Sequence, residues 1–457
     1  MNLHIVILAA GQGTRMYSKW PKVLYSLAGV PILERILQTV QKLNPQGIHV
    51  VYGNGDDLLP KMLTGYPVHW CHQHDRLGTA HALAQALPAI SDESSVLTLV
   101  GDIPLISAET LTHLIQMTAN SQFGLITAVL ADPTGMGRIL RDDVGEVVGI
   151  VEERDATEQQ RAIQEVNTGI ILSTAQQFKA IIPQLNNQNA KGEYYLTDVI
   201  NIAAKSGQKV YATCASEPEE VMGINDRSQL EYLERYYQKK TANSLMLKGV
   251  TICDSSRFDM RGYWEIAQDV TIDIDVILEG TGIIDSGCKI GPFTLLKNVT
   301  LGKNVEIKAH CMIENAVIAD DCIVGPFARI RPGTQLAQEV QVGNFVEIKN
   351  SQIDEGSKIN HLSYIGDTTV GRHVNVGAGT ITCNYDGINK NRTIIKDNAF
   401  IGSGAQLVAP VTIGEGAVIG AGSTITKDTP DQALTLSRVK QVSIEGWQQS
   451  NKKSDKK

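Results

Sequence analysis

The chain has 457 residues, 42% apolar and 20% charged, which is too long for one core and too ordinary in composition for a disordered or fibrous protein. Its net charge of −8 excludes a general electrostatic attraction to nucleic acid. Aromatic residues make up only 5%, while there are 41 glycines, an imbalance that the second half of the chain explains.

The first apolar run, Leu3–Ala9, opens into Gly11-Gln-Gly-Thr-Arg15 and continues to Pro21-Lys22. A buried strand that ends in a glycine-rich loop with two cations is a cradle for phosphates. Backbone N–H groups approach the oxygens where no Cβ intervenes, and the cations hold the charge. The run is too short for a signal sequence and has no basic region before it, and no segment approaches the ~18 apolar residues of a membrane span. Seven scattered cysteines form no CxxC pair and no metal-ligand spacing, which suits reduced thiols in the cytoplasm.

Residues 1–226 alternate strand-like and amphipathic stretches. Strands are expected at Leu3–Ala9, Ile48–Val51, Val96–Leu99, Gly124–Leu130, Gly169–Leu172 and Lys209–Thr213. Helices are expected at Ile32–Leu43, Thr79–Ala86 and Glu109–Met117. This rhythm predicts an α/β layer fold of Rossmann-like type with a mostly parallel sheet, whose ligands sit at the carboxyl ends of the strands. Gly11 and Gly101 both fall there. Residues 227–249 read as a linker helix, with Leu230, Leu233 and Tyr237 at helical spacing and Gly249 as its stop.

Across 250–457 the period becomes six. Aliphatic residues recur at Ile272, Leu278, Ile284, Ile290 and Leu296, and again from Ile318 through Val324, Ile330, Leu336, Val342 and Ile348. The series ends at Ile395, Ile401, Leu407, Ile413, Ile419 and Ile425. Such spacing predicts a parallel β-helix with one inward side chain per short strand and small residues at the corners. The gap at 383–394 predicts a protruding loop. The tail Lys452–Lys457 is basic and reads as a solvated end.

These residues together resemble the bifunctional family that acetylates glucosamine-1-phosphate and then uridylylates the product. The first half, with LAAGQGTRM (Leu8–Met16) and Pro21-Lys22, is similar to sugar-1-phosphate nucleotidylyltransferases. The second is similar to hexapeptide acyltransferases, and it is this resemblance that implies a left-handed β-helix. It further implies an enzyme that feeds peptidoglycan and lipopolysaccharide precursors. Its cosubstrates would be UTP and acetyl-CoA, its cofactor Mg²⁺, and its assembly a homotrimer. Its ligands would be sugar phosphates and nucleotides, with no nucleic acid or membrane partner.

The resemblance assigns Leu8, Ala9, Ala10 and Gly11 to the nucleoside, and Arg15 and Lys22 to the phosphates. Gln73, Gly78 and Thr79 would read uracil. Val100-Gly101-Asp102 ends a strand, and Asp102 with Asn225 would hold Mg²⁺, which favours carboxylate and phosphate oxygens. Gly137, Glu152 and Asn167 match sugar contacts, whereas Gly192–Asp198 matches the family without a definite role. In the second half Arg331 and Lys349 match binders of the acceptor's phosphate, with Tyr364 and Asn375 orienting it. Cations among hexapeptide coils are costly if unpaired, which favours a bound anion. His361 is the expected general base, because imidazole titrates in the working range. Ala378 matches the oxyanion site, and Asn384, Tyr385, Ser403, Ala421 and Arg438 match coenzyme A contacts. Gly404-Ala405 departs from an Asp-Thr pair common in relatives. The competing readings are a glucose-1-phosphate adenylyltransferase with a purely structural solenoid, and a non-enzymatic scaffold. His361, Arg331, Lys349 and Asn384-Tyr385 argue against the first, and an intact Arg15, Lys22, Asp102 and Asn225 against the second.

Overall fold

Ile5–Leu8 are all buried, so the strand Leu3–Leu8 needs neighbours at both edges and layers on both faces. In the computed structural model, which describes residues 2–53, 57–118 and 123–448, it has both. It pairs in parallel with Gly47–Gly53 on one side and Ser95–Val100 on the other. Across the sheet the order is Val210–Cys214, Phe123–Val129, Glu165–Thr174, Ser95–Val100, Leu3–Leu8, Gly47–Gly53, Val68–Gln73. The helix Ile32–Gln41 buries Ile32, Leu33, Ile36, Leu37 and Val40, one face at helical spacing.

The sheet departs from the expected parallel pattern at one place. Glu165–Thr174 runs antiparallel to both neighbours. The chain leaves Phe123–Val129 and comes back through the antiparallel ribbon Arg138–Arg141/Val147–Val151, and a return of this kind needs no helical crossover. The register of Glu165–Thr174 shifts between Asn167, which still pairs with Thr127, and Ile171, which takes Thr168-Gly-Ile170 out of the ladder. The ribbon strands and the edge strand Val68–Gln73 were not expected from the sequence. The edge strand, VHWCHQ, has no apolar run because most of it is only partly buried.

The chain divides into two units, Met1–Gln238 and Lys239–Lys457. The boundary falls inside the helix Arg227–Leu247: Leu233 belongs to the first core, Ala242 and Leu245 to the second. The helix stops at Gly249, whose φ of +92° lets Val250 N–H reach the Leu245 carbonyl at 3.1 Å.

The second unit is a parallel β-helix of stacked coils. One ladder runs Ile272, Ile290, Ile307, Val324, Val342, Ile359, Val376, Ile401, Ile419, with each residue in register on the one before. Two further ladders complete the triangular section, one through Ile330, Ile348 and Ile365, the other through Leu336, Ile353 and Val370. The apparent break in the six-residue pattern after Val376 has a simple cause. The inward rung there is Thr382, fully buried, whose hydroxyl accepts from Gly366 N–H at 2.8 Å. Corner residues such as Asn298, Asn315, Asn350 and Asp367 have positive φ, a conformation that Asn and Asp tolerate better than other side chains. The loop Asn384–Arg392 closes on itself, since Asn391 N–H donates to the Asn384 carbonyl at 2.7 Å. The tail Lys452–Lys457 lies outside the described residues.

Ile348 is fully buried between Ile330 and Ile365. Ile348→Ala should lower the stability of this unit by about 2–5 kcal/mol, read as a reduced urea midpoint; an unchanged midpoint would contradict the stacking of these ladders.

Candidate active sites

The end of the central strand builds the first site. Leu8, Ala9 and Ala10 are buried. Gly101 N–H donates to the Leu8 carbonyl at 2.8 Å, so the Leu8–Gly11 turn lies against Val100-Gly101-Asp102. Gly13 has φ +59°, and a Cβ there would come within 2.8 Å of Lys22 Cβ, so only glycine lets Lys22 pass beneath the loop. The Lys22 ammonium sits 2.5 Å from Asp102 Oδ2 and 3.2 Å from Asn225 Oδ1. Asn225 is carried there by backbone: Ile224 N–H donates to the Asp102 carbonyl at 2.9 Å, and Gln229 Oε1 accepts from Asn225 N–H at 2.7 Å. A carboxylate and an amide oxygen thus converge on one positive charge. That donor set suits Mg²⁺, which takes hard oxygen ligands and keeps some of its waters. Arg15 is exposed and makes no hydrogen bond or ion pair among the described residues.

The remaining residues expected in the first half join this cluster through short contacts. Asn167 N–H donates to the Gly137 carbonyl at 2.8 Å, and a Cβ on Gly137 would lie 3.4 Å from Glu152 Oε1. A Cβ on Gly169 would lie 3.1 Å from Val100 Cγ1, which brings the Asn167–Gly169 kink beside the end of the strand Ser95–Val100. The segment Gly192–Asp198, left without a role by the sequence, braces both sides. Gly78, at φ +117°, packs so closely on the Tyr194 backbone that a Cβ would lie 2.5 Å from its carbonyl. Thr79 Oγ1 accepts from Leu196 N–H at 3.0 Å, and Thr197 Oγ1 donates to Glu152 Oε1 at 3.1 Å. Gln73 is buried, and its amide nitrogen is engaged with the Gly78 carbonyl at 3.2 Å and His81 Nδ1 at 3.0 Å. Among the described residues its side-chain oxygen has no hydrogen-bond partner.

In the β-helix, one corner gathers a column. Gly379 N–H donates to the His361 carbonyl, Gly404 N–H to Ala378, and Gly422 N–H to Ser403, at 3.2, 2.7 and 2.8 Å. Arg438 Nη1 donates to the Ala421 carbonyl at 2.8 Å. His361, Ala378, Ser403, Ala421 and Arg438 therefore follow one edge of the solenoid, coil upon coil. A second group lies at the next corner. Tyr364 hydroxyl and Asn384 Nδ2 flank Gly366, where a Cβ would lie 2.5 and 2.9 Å from them. Asp367 accepts from Asn350 and Asn384, and Lys349 Nζ is 3.8 Å away. Burial pushes the Asp367 carboxyl up, but the hydrogen bonds from Asn350 and Asn384 and the Lys349 charge outweigh it and hold the group below the usual carboxylate range. Asn375 stands apart on the next strand of His361's sheet, Asn375–Val376, in register with Lys358 and Phe400. Tyr385 is exposed on the loop and donates to the Gly387 carbonyl at 2.6 Å.

Comparison with known proteins fits this division. A MobA-like NTP transferase domain matches residues 5–166, a GMPPB C-terminal domain matches 260–344, and six bacterial transferase hexapeptide repeats match 392–427. Over its whole length the chain is 51% identical to "Bifunctional protein GlmU" of Legionella pneumophila, across 99% of both chains. It is 50% identical to the protein of that name from Alkalilimnicola ehrlichii and 51% to that from Methylococcus capsulatus, in each case across 99% of this chain and 98% of the relative. The chain belongs to the bifunctional GlmU family.

Within that family membership, two expectations change. Arg331 Nη1 donates to Glu347 Oε1 at 2.8 Å and Lys349 faces Asp367, so neither cation is unpaired and the argument from unpaired charge lapses. Gly404 takes φ +70° at the corner and Ala405 points fully into the core, so neither offers a side-chain polar group to a ligand. Thr197, Glu347 and Asp367 were missed because each acts through another residue. Only their place in the fold reveals them.

Burial pushes the Glu152 carboxyl up, with help from Asp198 and Asp155 and against the Thr197 hydroxyl and Lys191. Its ionised form therefore costs stability. That cost is absent below the ordinary value near ~4.3 and is complete once the pH passes the raised folded value. Glu152→Gln should raise the melting temperature near neutral pH and lose that advantage near about pH 4. Melting curves across this range check it, and a pH-independent difference would contradict it.

Proposed function

We propose that this chain makes UDP-N-acetylglucosamine in two steps, acetyl transfer to glucosamine-1-phosphate followed by uridylyl transfer to the product. The observation that carries the proposal is the presence, on one chain, of the Lys22–Asp102–Asn225 charge cluster and the His361–Arg438 column, each on a fold suited to one of the two reactions.

In the acetyl step the 2-amino nitrogen of the sugar attacks the thioester carbonyl of acetyl-CoA. A C–N bond forms, the C–S bond breaks, and coenzyme A leaves as its thiol. His361 takes the proton that the amine loses and returns it to the departing sulfur, and Ala378 N–H stabilises the oxyanion of the tetrahedral intermediate. Lys349 and Arg331 turn from their carboxylate partners to the sugar's phosphate, with Tyr364 and Asn375 setting its orientation. Ser403, Ala421, Arg438, Asn384 and Tyr385 line the path of coenzyme A. The residues of this set occupy two corners and an adjoining face of a single solenoid. A homotrimer, in which neighbouring copies face one another, brings such separated groups into one groove.

In the uridylyl step a phosphate oxygen of N-acetylglucosamine-1-phosphate attacks the α-phosphorus of UTP in line, and pyrophosphate leaves. The nucleophile is already charged, so no covalent intermediate on the protein is needed. Leu8–Gly11 and Gln73 receive the nucleoside, Gly78 and Thr79 hold the uracil side, and Gly137, Glu152 and Asn167 hold the sugar. Lys22 exchanges Asp102 for phosphate oxygens, and the exposed Arg15 closes on the pyrophosphate as charge builds there. Asp102 and Asn225 would hold Mg²⁺, which supplies charge neutralisation on the triphosphate. The free thiols suit a cytoplasmic setting, where these substrates are found.

Asp102→Ala should abolish UDP-sugar formation from N-acetylglucosamine-1-phosphate and leave acetylation intact. His361→Ala should lower acetylation by roughly 10²–10⁴-fold and leave uridylyl transfer intact. Separate assays of each half-reaction test this, and loss of both activities in either variant, with the fold preserved, would contradict two independent sites.

A further inference from the structure

His361 ends the strand Lys358–His361, and directly beneath it, one coil earlier, Asn344 ends the strand Gln341–Asn344. The two residues are register partners. Their corners match as well: Phe345 and Leu362, the next residues, both take positive φ, and Leu362 N–H donates to the Asn344 carbonyl at 3.1 Å. The backbone therefore fixes one side chain over the other. Asn344 Oδ1 lies 3.2 Å from His361 Nδ1. Among the described residues no carboxylate or cation is hydrogen-bonded to the imidazole, and Nε2 has no hydrogen-bond partner.

An amide oxygen can only accept, so this contact requires the proton of the neutral ring to be on Nδ1. Nε2 is then the basic nitrogen. A base with its lone pair on the wrong nitrogen is inactive however well it is placed, which is why a residue that sets the tautomer can matter as much as the base itself. We infer that Asn344 is a positioning residue for acetyl transfer, holding His361 in the Nδ1–H tautomer with Nε2 directed at the acceptor amine. The inference rests on His361 acting as the general base. It adds a second component that the sequence does not mark, because Asn344 lies a full coil away and is one of many corner-adjacent asparagines in the solenoid.

The full-length protein tests it. Asn344→Ala should lower kcat for acetyl transfer by roughly 10–100-fold, with KM for both acetyl-CoA and glucosamine-1-phosphate changed by less than about threefold. Uridylyl transfer, carried by the other unit, should be unchanged, and an unchanged urea midpoint of the β-helix controls for its folding. Asn344→Asp keeps an acceptor facing Nδ1. It should recover most of the rate and move the acidic limb of the kcat/KM profile to higher pH, since a carboxylate favours the protonated ring. Nitrogen-15 NMR of labelled histidine gives the direct reading: in the wild type the His361 proton sits on Nδ1, and in Asn344→Ala the two tautomers mix. A wild-type spectrum with the proton on Nε2, or a wild-type kcat in Asn344→Ala, would overturn the assignment of Asn344. Wild-type acetylation by His361→Ala would instead overturn the general-base reading on which it stands.

Discussion

A parallel solenoid can satisfy its backbone only by laying each coil against the next in register. A coil shifted by one residue would turn its aliphatic rungs out to water and leave N–H groups unpaired, at a cost no local contact offsets. The ladder from Ile272 to Ile419 meets this demand over the whole unit. Function inherits the constraint. Residues a coil apart in sequence become neighbours in space, so His361, Ala378, Ser403 and Ala421 form a column through the same hydrogen bonds that hold the coils together. Asn344 meets His361 for the same reason.

The first unit solves a different problem by different means. Its ligand groups come from segments far apart in sequence, and the parallel strands bring their ends to one edge. Leu8–Gly11 and Val100–Asp102 are adjacent because Leu3–Leu8 and Ser95–Val100 pair side by side. Lys22 and Asn225 then reach Asp102 from opposite ends of the unit. A lysine clamped between a carboxylate and an amide holds three groups of the site in place before any nucleotide arrives. A ligand that displaced these contacts would find the side chains already ordered.

Much of this was legible in the sequence because periodicity reports burial. The period of six marked the solenoid, and the strand–loop–cation order at Leu3–Lys22 pointed to the turn that lies against Val100–Asp102. What escaped was of two kinds. Where burial is partial, as in Val68–Gln73, or where a polar residue fills a core rung, as Thr382 does, the apolar pattern fails although the backbone continues. The reversal of Glu165–Thr174 escaped for another reason, since an inserted strand carries the same apolar pattern in either direction. Supporting residues were also invisible. Thr197, Asp367 and Asn344 each hold another side chain, and nothing in their local sequence separates them from ordinary turn residues. Pairing was misjudged as well: Arg331 and Lys349 were expected to lack carboxylate partners, yet neighbouring coils supply Glu347 and Asp367.

The two sites proposed for this chain would run both reactions in sequence on one polypeptide. The decisive experiment incubates the purified protein with glucosamine-1-phosphate, acetyl-CoA, UTP and Mg²⁺ and follows the products by mass spectrometry. N-acetylglucosamine-1-phosphate should appear first and UDP-N-acetylglucosamine after it, with coenzyme A and pyrophosphate released in equal amounts once the intermediate is consumed. Formation of a UDP-sugar with no dependence on acetyl-CoA, or release of coenzyme A without any nucleotide sugar, would contradict this sequence of reactions.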